Sequence, residues 1–367
     1  MPPRAPSAAA ALLLANEAVP TFHLARGAMA SIKQFDRFAF VVGAPRCGTT
    51  AIARFLAKHP EIAFSAVKEP HFFSQHDLRG LSKRKLEQIV EDEYLDRFFA
   101  GLGEGSRIGG DGSVSYLYTP EQMEAILRLW PESRFIVAVR DPLAMLPSLH
   151  QRLIYIGDET LCDFQDAWAA TPDRAAGRKI PRSCVDPRWL RYDEAGRLAT
   201  YVERLFATVG RERCLVVVFD DLVADPAGQG NRILDFLGLE AFDSIELKPA
   251  RSSSGVRSPW LQRVLKRPPK PLRTLFAGKH YMRRVAKPAK LPKNDGAAVE
   301  VVMSVRKRLI KWNRIPAADT SVPLHVQQDI RARLRDEVDR LGKLIGRDLS
   351  HWLQPAAGNS RLASPYE

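Results

Sequence analysis

The chain has 367 residues, 45% of them hydrophobic and 26% charged, so it can bury a sizeable core and is not a disordered chain. Its 55 Lys and Arg exceed its 42 Asp and Glu, and the formal charge of +13 suggests an anionic partner. The excess is local: residues 251–314 hold 18 Lys and Arg against two acids, Asp295 and Glu300, while the other 303 residues hold 37 basic and 40 acidic side chains. A near-neutral body with one basic segment argues against a basic surface spread over the whole protein.

The opening text, MPPRAPSAAAALLLANEAVP, carries one Arg and a short apolar run from Ala8 to Ala15. It makes a poor signal peptide and reads as a loose arm over residues 1–35, with Met29 as an alternative start. No run approaches the ~18 apolar residues of a transmembrane helix. FAFVVG, from Phe38, has the composition of a buried parallel strand. GAPRCGTT follows, and the next residues place Ile52, Phe55 and Leu56 at helical spacing. Further strands are legible at 134–140 and 214–219, and helices at 120–130, 199–209, 230–237 and 326–344. Residues 171–190 and 251–296 read as loops, the second with short amphipathic pieces. Strands alternating with helices predict an α/β fold: three layers, P-loop-like, with a central, mainly parallel sheet flanked by helices. Cys47, Cys162, Cys184 and Cys214 are scattered and form no CxxC pair. That excludes a zinc ribbon, does not suggest a disulfide framework, and favours a reducing, cytoplasmic compartment.

Gly43 to Thr50 has the G-x-x-x-x-G frame of a phosphate-binding loop, whose backbone N–H groups and following helix cradle an anion. A Walker A loop would continue with Lys, but this one continues with Thr49 and Thr50. The lysine that reaches β- and γ-phosphates is missing, and a cation, Arg46, stands upstream inside the loop. The frame therefore suits an anion other than a nucleoside triphosphate with Mg²⁺, and it counts against a nucleotide kinase or other P-loop NTPase.

PRCGTT after a strand resembles the 5′-phosphosulfate loop of sulfotransferases, usually P-K-x-G-T-T. These enzymes use 3′-phosphoadenosine 5′-phosphosulfate (PAPS) as donor and need no metal. The resemblance, which runs over about residues 36–353, implies that Arg46, Cys47, Gly48, Thr49 and Thr50 bind the 5′-phosphosulfate, with Arg46 where the family most often has Lys. A second element is strand, Arg140, seven residues and Ser148, which resembles the family's 3′-phosphate motif; an Arg at a strand's carboxyl end can fork onto a phosphate. RSSSGVRS resembles the loop that closes over the 3′-phosphate, with Ser254, Gly255 and Arg257 as candidates. IGRDLSHWL (345–353) and DFLGLE (235–240) also resemble bacterial members.

KEPHFF, Lys68 to Phe73, resembles the heparan-type glycan sulfotransferases and their bacterial relatives, which implies Glu69 as general base. His71 would orient or polarise the reacting groups and is the alternative base; Lys68 lies beside them, and Phe72 and Phe73 are core candidates. Two departures stand out. The E-K-[ST]-P-x-Y stretch of that branch is Asp111-Gly112-Ser113-Val114-Ser115-Tyr116 here, and the acid that normally follows H-F-F is Ser74. A substrate-facing cation and carboxylate are therefore missing, which counts against a heparan-like polyanion. The resemblance thus implies a PAPS-dependent sulfotransferase domain over 36–353 between the arm and a tail at 354–367. Its acceptor would be a hydroxyl or amine, foremost of a carbohydrate or glycolipid, with a small natural product or tyrosyl peptide as alternatives. Donor binding accounts for few of the cations of 251–314. Trp260, Leu261, Leu265, Leu272, Leu275, Phe276 and Met282 interleave with them, so this segment either lies on an anionic membrane, admits an acidic acceptor, or forms a solvated lid. Nucleic acid is not the expected partner. A non-enzymatic membrane-binding protein is the alternative of another class, and any membrane contact is expected to be peripheral, at the inner face.

Overall fold

Phe38, Ala39, Phe40, Val41 and Val42 are all fully buried, so the strand that carries them, β1 (Arg37–Gly43), has no solvated face. A strand covered on both faces belongs in the middle of a parallel sheet, which is where it lies. A computed structural model of the chain describes residues 31–103, 105–242, 254–267, 297–316 and 322–354. After β1 come α1 (Thr49–Leu56), β2 (Ile62–Phe64), α2 (Lys83–Val90), β3 (Ile108–Asp111), α3 (Glu124–Leu129) and β4 (Arg134–Val139). Then follow α4 (Pro142–Ile156), α5 (Leu198–Val209), β5 (Cys214–Val218) and α6 (Pro226–Leu237). The last elements are β6 (Ser254–Val256), α7 (Pro259–Lys266), α8 (Ala297–Asn313), β7 (Arg314–Pro316) and α9 (Leu324–Ile345).

The described residues form two compact units. One takes those up to Arg140, Tyr201 to Phe242, and 297–303; the other takes Asp141–Thr200, 254–267 and 304–354. The first unit holds the five-stranded sheet, in order β2-β3-β1-β4-β5, with every pairing parallel. Helices flank this central sheet, as the α/β reading expects. All five strands point the same way, so the segments that leave β1, β2, β3 and β4 emerge at one edge. The chain passes from β1 outward to β2 and later crosses to β4 on the other side of β1, a topological switch point where open parallel sheets hold their ligands.

An aromatic cluster fixes that edge from below. Phe38 packs on Trp130 with ring centroids 4.3 Å apart, and Phe40 stacks on Phe135 at 5.3 Å. Such pairs contribute about 0.5–1.5 kcal/mol each beyond their buried area. Gly43 ends β1 at φ +135°; a Cβ there would lie 2.5 Å from the backbone N and O of Ala138, so no side chain fits where the chain turns off the sheet.

In the second unit, Asp141 caps α4 by accepting from Leu143 N at 2.8 Å, and Pro142 supplies the first helical residue. Gln262 on α7 donates to Tyr155 O at 2.9 Å, tying α7 to the end of α4. Beyond α4, the wholly buried pair Arg174–Glu159 is 2.7 Å apart, and Tyr192 Oη also donates to Glu159.

Several elements depart from the sequence reading. The span 120–130 is a 3-10 turn, Pro120–Met123, followed by α3, because Pro120 and the turn at Thr119 delay the helix. Loop 171–190 contains a short helix, Thr171–Ala175, and a 3-10 turn, Pro187–Leu190. The described part of 251–296 is the strand β6, paired antiparallel with β7, and the helix α7. The arm expected over 1–35 lies outside the described residues as far as 30; Ser31 to Phe35 are described, and Phe35 is buried against Phe38 and Phe99. The tail beyond 354 also lies outside them.

Candidate functional site

The loop after β1 is built for close approach. Arg46 has φ +69° and Gly48, the N-cap of α1, has φ +85°. A Cβ on Gly48 would lie 2.5 Å from Leu222 Cδ2. Among the described residues, the N–H groups of Cys47, Gly48 and Thr49 donate to no protein acceptor. Three unspent amides at a helix start fit an anion. Arg140, leaving β4, donates from Nη1 to the Arg46 carbonyl at 3.1 Å, with its guanidinium 4.3 Å above the Phe219 ring. Arg46 and Arg140 thus meet on one loop. Cys47 is fully buried; burial pushes its thiol up to about 12 against the pull of Arg140 and Arg46, so it offers backbone only and no thiolate. Thr49 is buried and Thr50 half-buried at the start of α1.

The KEPHFF turn after β2 is the second part. Phe72 and Phe73 are buried, with ring centroids 5.2 and 5.0 Å from Tyr94. They anchor a turn in which Glu69 has φ +65° and His71 φ +55°. Among the described residues, the non-glycine residues with positive φ are Arg46, Glu69, His71 and Lys179. Each such conformation costs about 1–3 kcal/mol, and strain of this kind gathers at functional sites. Three of the four are residues that the motifs had singled out.

Lys68 Nζ forms an ion pair with Glu69 Oε1. Burial by itself would raise the Glu69 carboxyl, but the Lys68 ammonium beside it, the foremost opposing influence, holds the group well below the ordinary carboxylate range. His71 Nε2 lies 3.6 Å from Glu69 Oε2 and is buried without a hydrogen-bond partner. The other ring nitrogen is committed: Nδ1 is 2.7 Å from Ser115 Oγ, Ser115 Oγ is 2.7 Å from Ser74 Oγ, and Ser74 Oγ donates to the His71 carbonyl at 2.9 Å.

Three contacts need three hydrogens. A carbonyl only accepts, so the Ser74 hydroxyl is spent on His71 O. Ser115 must then donate to Ser74, and the remaining hydrogen is the one on His71 Nδ1. Nε2 therefore carries the lone pair whenever the ring is neutral, and it faces a carboxylate with no proton between them.

The backbone of His71 is held as tightly. Its N–H donates to Ser113 Oγ at 2.9 Å, and Ser113 donates to Asp111 Oδ1 at 2.7 Å. The other oxygen of Asp111 accepts from Tyr94 at 2.8 Å and Tyr116 at 2.9 Å. Burial pushes the Asp111 carboxyl up, and the three hydroxyl donors pull against it. Sequence reasoning missed Ser74, Tyr94, Asp111, Ser113, Ser115 and Tyr116 as supports. The signal available was the pair of stretches in which the chain departs from the glycan branch: Ser74 stands where that branch has an acid, and Asp111, Ser113, Ser115 and Tyr116 lie in the stretch 111–116.

The remaining candidates lie in the second unit. Ser148 is half-buried on α4, and Gly255 sits in β6, the strand that begins at Ser254. Arg257 is exposed, with its guanidinium 5.5 Å above the Trp312 ring. Among the described residues, no group of three or more His, Cys, Asp and Glu side chains could hold a metal ion.

The family model described as "Sulfotransferase family" matches residues 39–244, more than half of the chain and the span that holds both loops, Arg140 and all of the five-stranded sheet but the first two residues of β1. The chain belongs to that family. As a member of the sulfotransferase family, it is 28% identical over 209 residues to human heparan sulfate glucosamine 3-O-sulfotransferase 6, covering 55% of this chain and 52% of that protein. Mouse heparan sulfate glucosamine 3-O-sulfotransferase 3B1 is 26% identical over 207 residues, covering 55% and 46%. The chain thus spans about half the length of the curated relatives it matches. A crystal structure of a sulfotransferase from Alicyclobacillus acidocaldarius covers 86% of this chain and 98% of its own, with a TM-score of 0.52 and 20% identity, a likeness of fold.

Proposed function

We propose that this chain is a sulfotransferase that moves the sulfuryl group of PAPS to a hydroxyl of a carbohydrate or glycolipid, with Glu69 as general base. The observation that carries the reading is the pairing of an anion loop with unspent amides and a strained carboxylate–imidazole turn, both leaving the same edge of one parallel sheet. The family membership of residues 39–244 supports it.

The amides of Cys47, Gly48 and Thr49, with Arg46, would hold the phosphosulfate, and Arg140 with Ser148 the 3′-phosphate; Ser254, Gly255 and Arg257 belong to the same proposal. The donor supplies an electrophilic sulfur with a phosphate leaving group. As the acceptor oxygen bonds to sulfur, the bridging S–O bond breaks and the hydroxyl proton passes to Glu69. Arg46 offsets the charge that gathers on the leaving phosphate. Glu69 is ionised at neutral pH, the state a base needs, and His71 Nε2 offers a second acceptor to the same hydroxyl. A carbohydrate acceptor is supported by the names of the relatives, which act on heparan sulfate glucosamine. Gly112 and Ser74, where that branch has charged residues, support an acceptor less anionic than heparan sulfate.

The test is a titration with adenosine 3′,5′-bisphosphate followed by thermal melting, then incubation with labelled PAPS and fractionated extract. Saturation at 100 times Kd stabilises the folded chain by about 2.7 kcal/mol. No shift at millimolar nucleotide would overturn the proposal.

A further inference from the structure

The basic segment is not accounted for by donor binding, and its described part has a definite shape. Asn313, at the end of α8, is fully buried and clamps α7: its Nδ2 donates to Ser258 O at 3.0 Å and to Gln262 Oε1 at 3.1 Å, and its Oδ1 accepts from Ser258 N at 2.9 Å. Arg257 N donates to Asn313 O at 2.8 Å as β6 pairs with β7. The clamp brings the start of α7 to the end of α8, and each carries an outward tryptophan next to it. Trp260 is 66% exposed and Trp312 58%, whereas the other four of the chain's six tryptophans (Trp130, Trp168, Trp189 and Trp352) are 8% exposed or less.

Val305 and Leu309 continue the apolar stripe, seven and three residues before Trp312, at spacings that keep one helical face. Arg308 and Lys311 are exposed on the side of α8 adjacent to this stripe, and Arg314 is exposed just beyond it. Residues 254–267 and 304–316 contain nine Lys and Arg and no Asp or Glu. Several of the nine have protein partners: Arg267 pairs with Asp158, Arg306 donates to Leu265 O, Lys266 lies 4.8 Å from the centre of the Tyr155 ring and Arg257 lies over Trp312.

We propose that Trp260, Val305, Leu309 and Trp312, with Arg308 and Lys311 beside them, form a docking surface for an anionic phospholipid bilayer. The charge selects the partner's sign, and the side chains select its kind. A polyanion in solution, such as a glycan or nucleic acid, uses the cations and can stack on indoles but gives no reason to expose Val305 and Leu309. A bilayer uses all three classes: aliphatic groups enter the acyl boundary, indoles sit at headgroup depth, and guanidinium and ammonium groups meet the lipid phosphates. The rigid clamp beneath means that little order has to be gained on docking. No helix among the described residues is long and apolar enough to cross a membrane, so the contact is peripheral. The inference stands independently of the reaction proposed above.

The full chain is mixed with vesicles of phosphatidylcholine alone or with one-third phosphatidylserine, and binding is read by flotation and by tryptophan quenching with brominated lipid. The four buried indoles are shielded, so quenching reports this face. Anionic vesicles are expected to bind and quench, and raising salt to 0.5 M to weaken binding. Trp260→Ser/Trp312→Ser is expected to lower partitioning at least about tenfold, and Arg308→Glu/Lys311→Glu to remove the preference for phosphatidylserine. Thermal melting checks that both variants stay folded, as substitutions at exposed sites allow. Absence of vesicle binding by the wild type at 0.1 M salt, or binding unchanged by the tryptophan pair, overturns the proposal. So does self-association that this pair abolishes, which would assign the face to a second copy. Quenching of the same indoles by a sulfated glycan or RNA, with vesicles inert, overturns it as well.

Discussion

His71 Nδ1 lies 2.7 Å from Ser115 Oγ, and that one hydrogen bond decides which ring nitrogen is left to face Glu69. The hydroxyls of Ser74 and Ser115 are both spent in a fixed direction, so Nδ1 must donate. The relay is thus a device for keeping a lone pair on Nε2 beside the carboxylate.

Ser115→Ala tests it. Without the acceptor for Nδ1–H, the imidazole can place its hydrogen on Nε2 and donate to Glu69 instead. Turnover is expected to fall at least about fivefold, the equivalent of a hydrogen bond of ~1 kcal/mol, while nucleotide binding is unchanged. Ser115→Thr keeps the hydroxyl and should recover much of the rate. Equal turnover in all three proteins would mean that the relay only packs the turn.

Glu69→Gln is expected to bind adenosine 3′,5′-bisphosphate like the wild type and to lose about 10²–10⁴-fold in transfer, the range of a positioned base. Wild-type turnover by that variant would move the base to His71. The pH profile carries a second test. The Glu69 carboxyl is depressed in the folded chain, so it stays ionised as pH falls through the ordinary carboxylate range and titrates only below it. Lys68 is the foremost influence holding it down. In Lys68→Met the carboxyl rises, and the acid limb of kcat/KM is expected at higher pH than in the wild type. An acid limb that stays in place would show that Glu69 is not the group being titrated.

Much of this was legible because it is local. FAFVVG reads as a buried strand since every side chain from Phe38 to Val42 is apolar, and GAPRCGTT reads as an anion loop since its glycine sits at a helix start. β2 and β3 were not legible: the first is three residues long, and the second, Ile108-Gly109-Gly110-Asp111, has two glycines and an acid. Their reasons are tertiary. Gly109 and Gly110 leave room for the rings of Phe38 and Phe64, which a Cβ would approach to 2.3 and 2.4 Å. Asp111 is stable inside because Tyr94, Ser113 and Tyr116 reach it from two parts of the chain. The same holds at the site: the spacing in KEPHFF names Glu69 and His71, but nothing in it tells that Ser115 sets the tautomer.

Arg140 has two tasks in the proposed site, and one substitution separates them. Its bond to the Arg46 carbonyl tethers the 5′ loop, so Arg140→Ala is expected to weaken adenosine 5′-phosphosulfate about fivefold, the value of one such bond at ~1 kcal/mol. A nucleotide with a 3′-phosphate should lose at least tenfold more, because a charge-assisted fork contributes further. Calorimetric titration of both nucleotides measures the ratio. Equal losses would leave Arg140 as a tether alone.

Asp158 makes the stability of the second unit depend on pH with an unusual sign. Its side chain is 1% exposed, Oδ2 has no hydrogen-bond partner, and Arg267 bonds to Oδ1 at 2.7 Å. Burial pushes the carboxyl up to about 6 from 3.8, with Asp186 adding to the rise, although Arg267 pulls it down. The folded chain thus holds this proton more tightly than the unfolded chain does. Its contribution to stability is present below about 4 and is lost as pH rises through about 6, a span worth at most ~3 kcal/mol. Paired carboxylates usually slope the other way. Urea unfolding at pH 5 and 7.5 is therefore compared between wild type and Asp158→Asn/Arg267→Met, which removes both charges so that neither is left buried alone. Relative to that variant, the wild type is expected to be less stable at pH 7.5 than at pH 5. The opposite slope would mean that the Arg267 pairing, and not burial, governs Asp158.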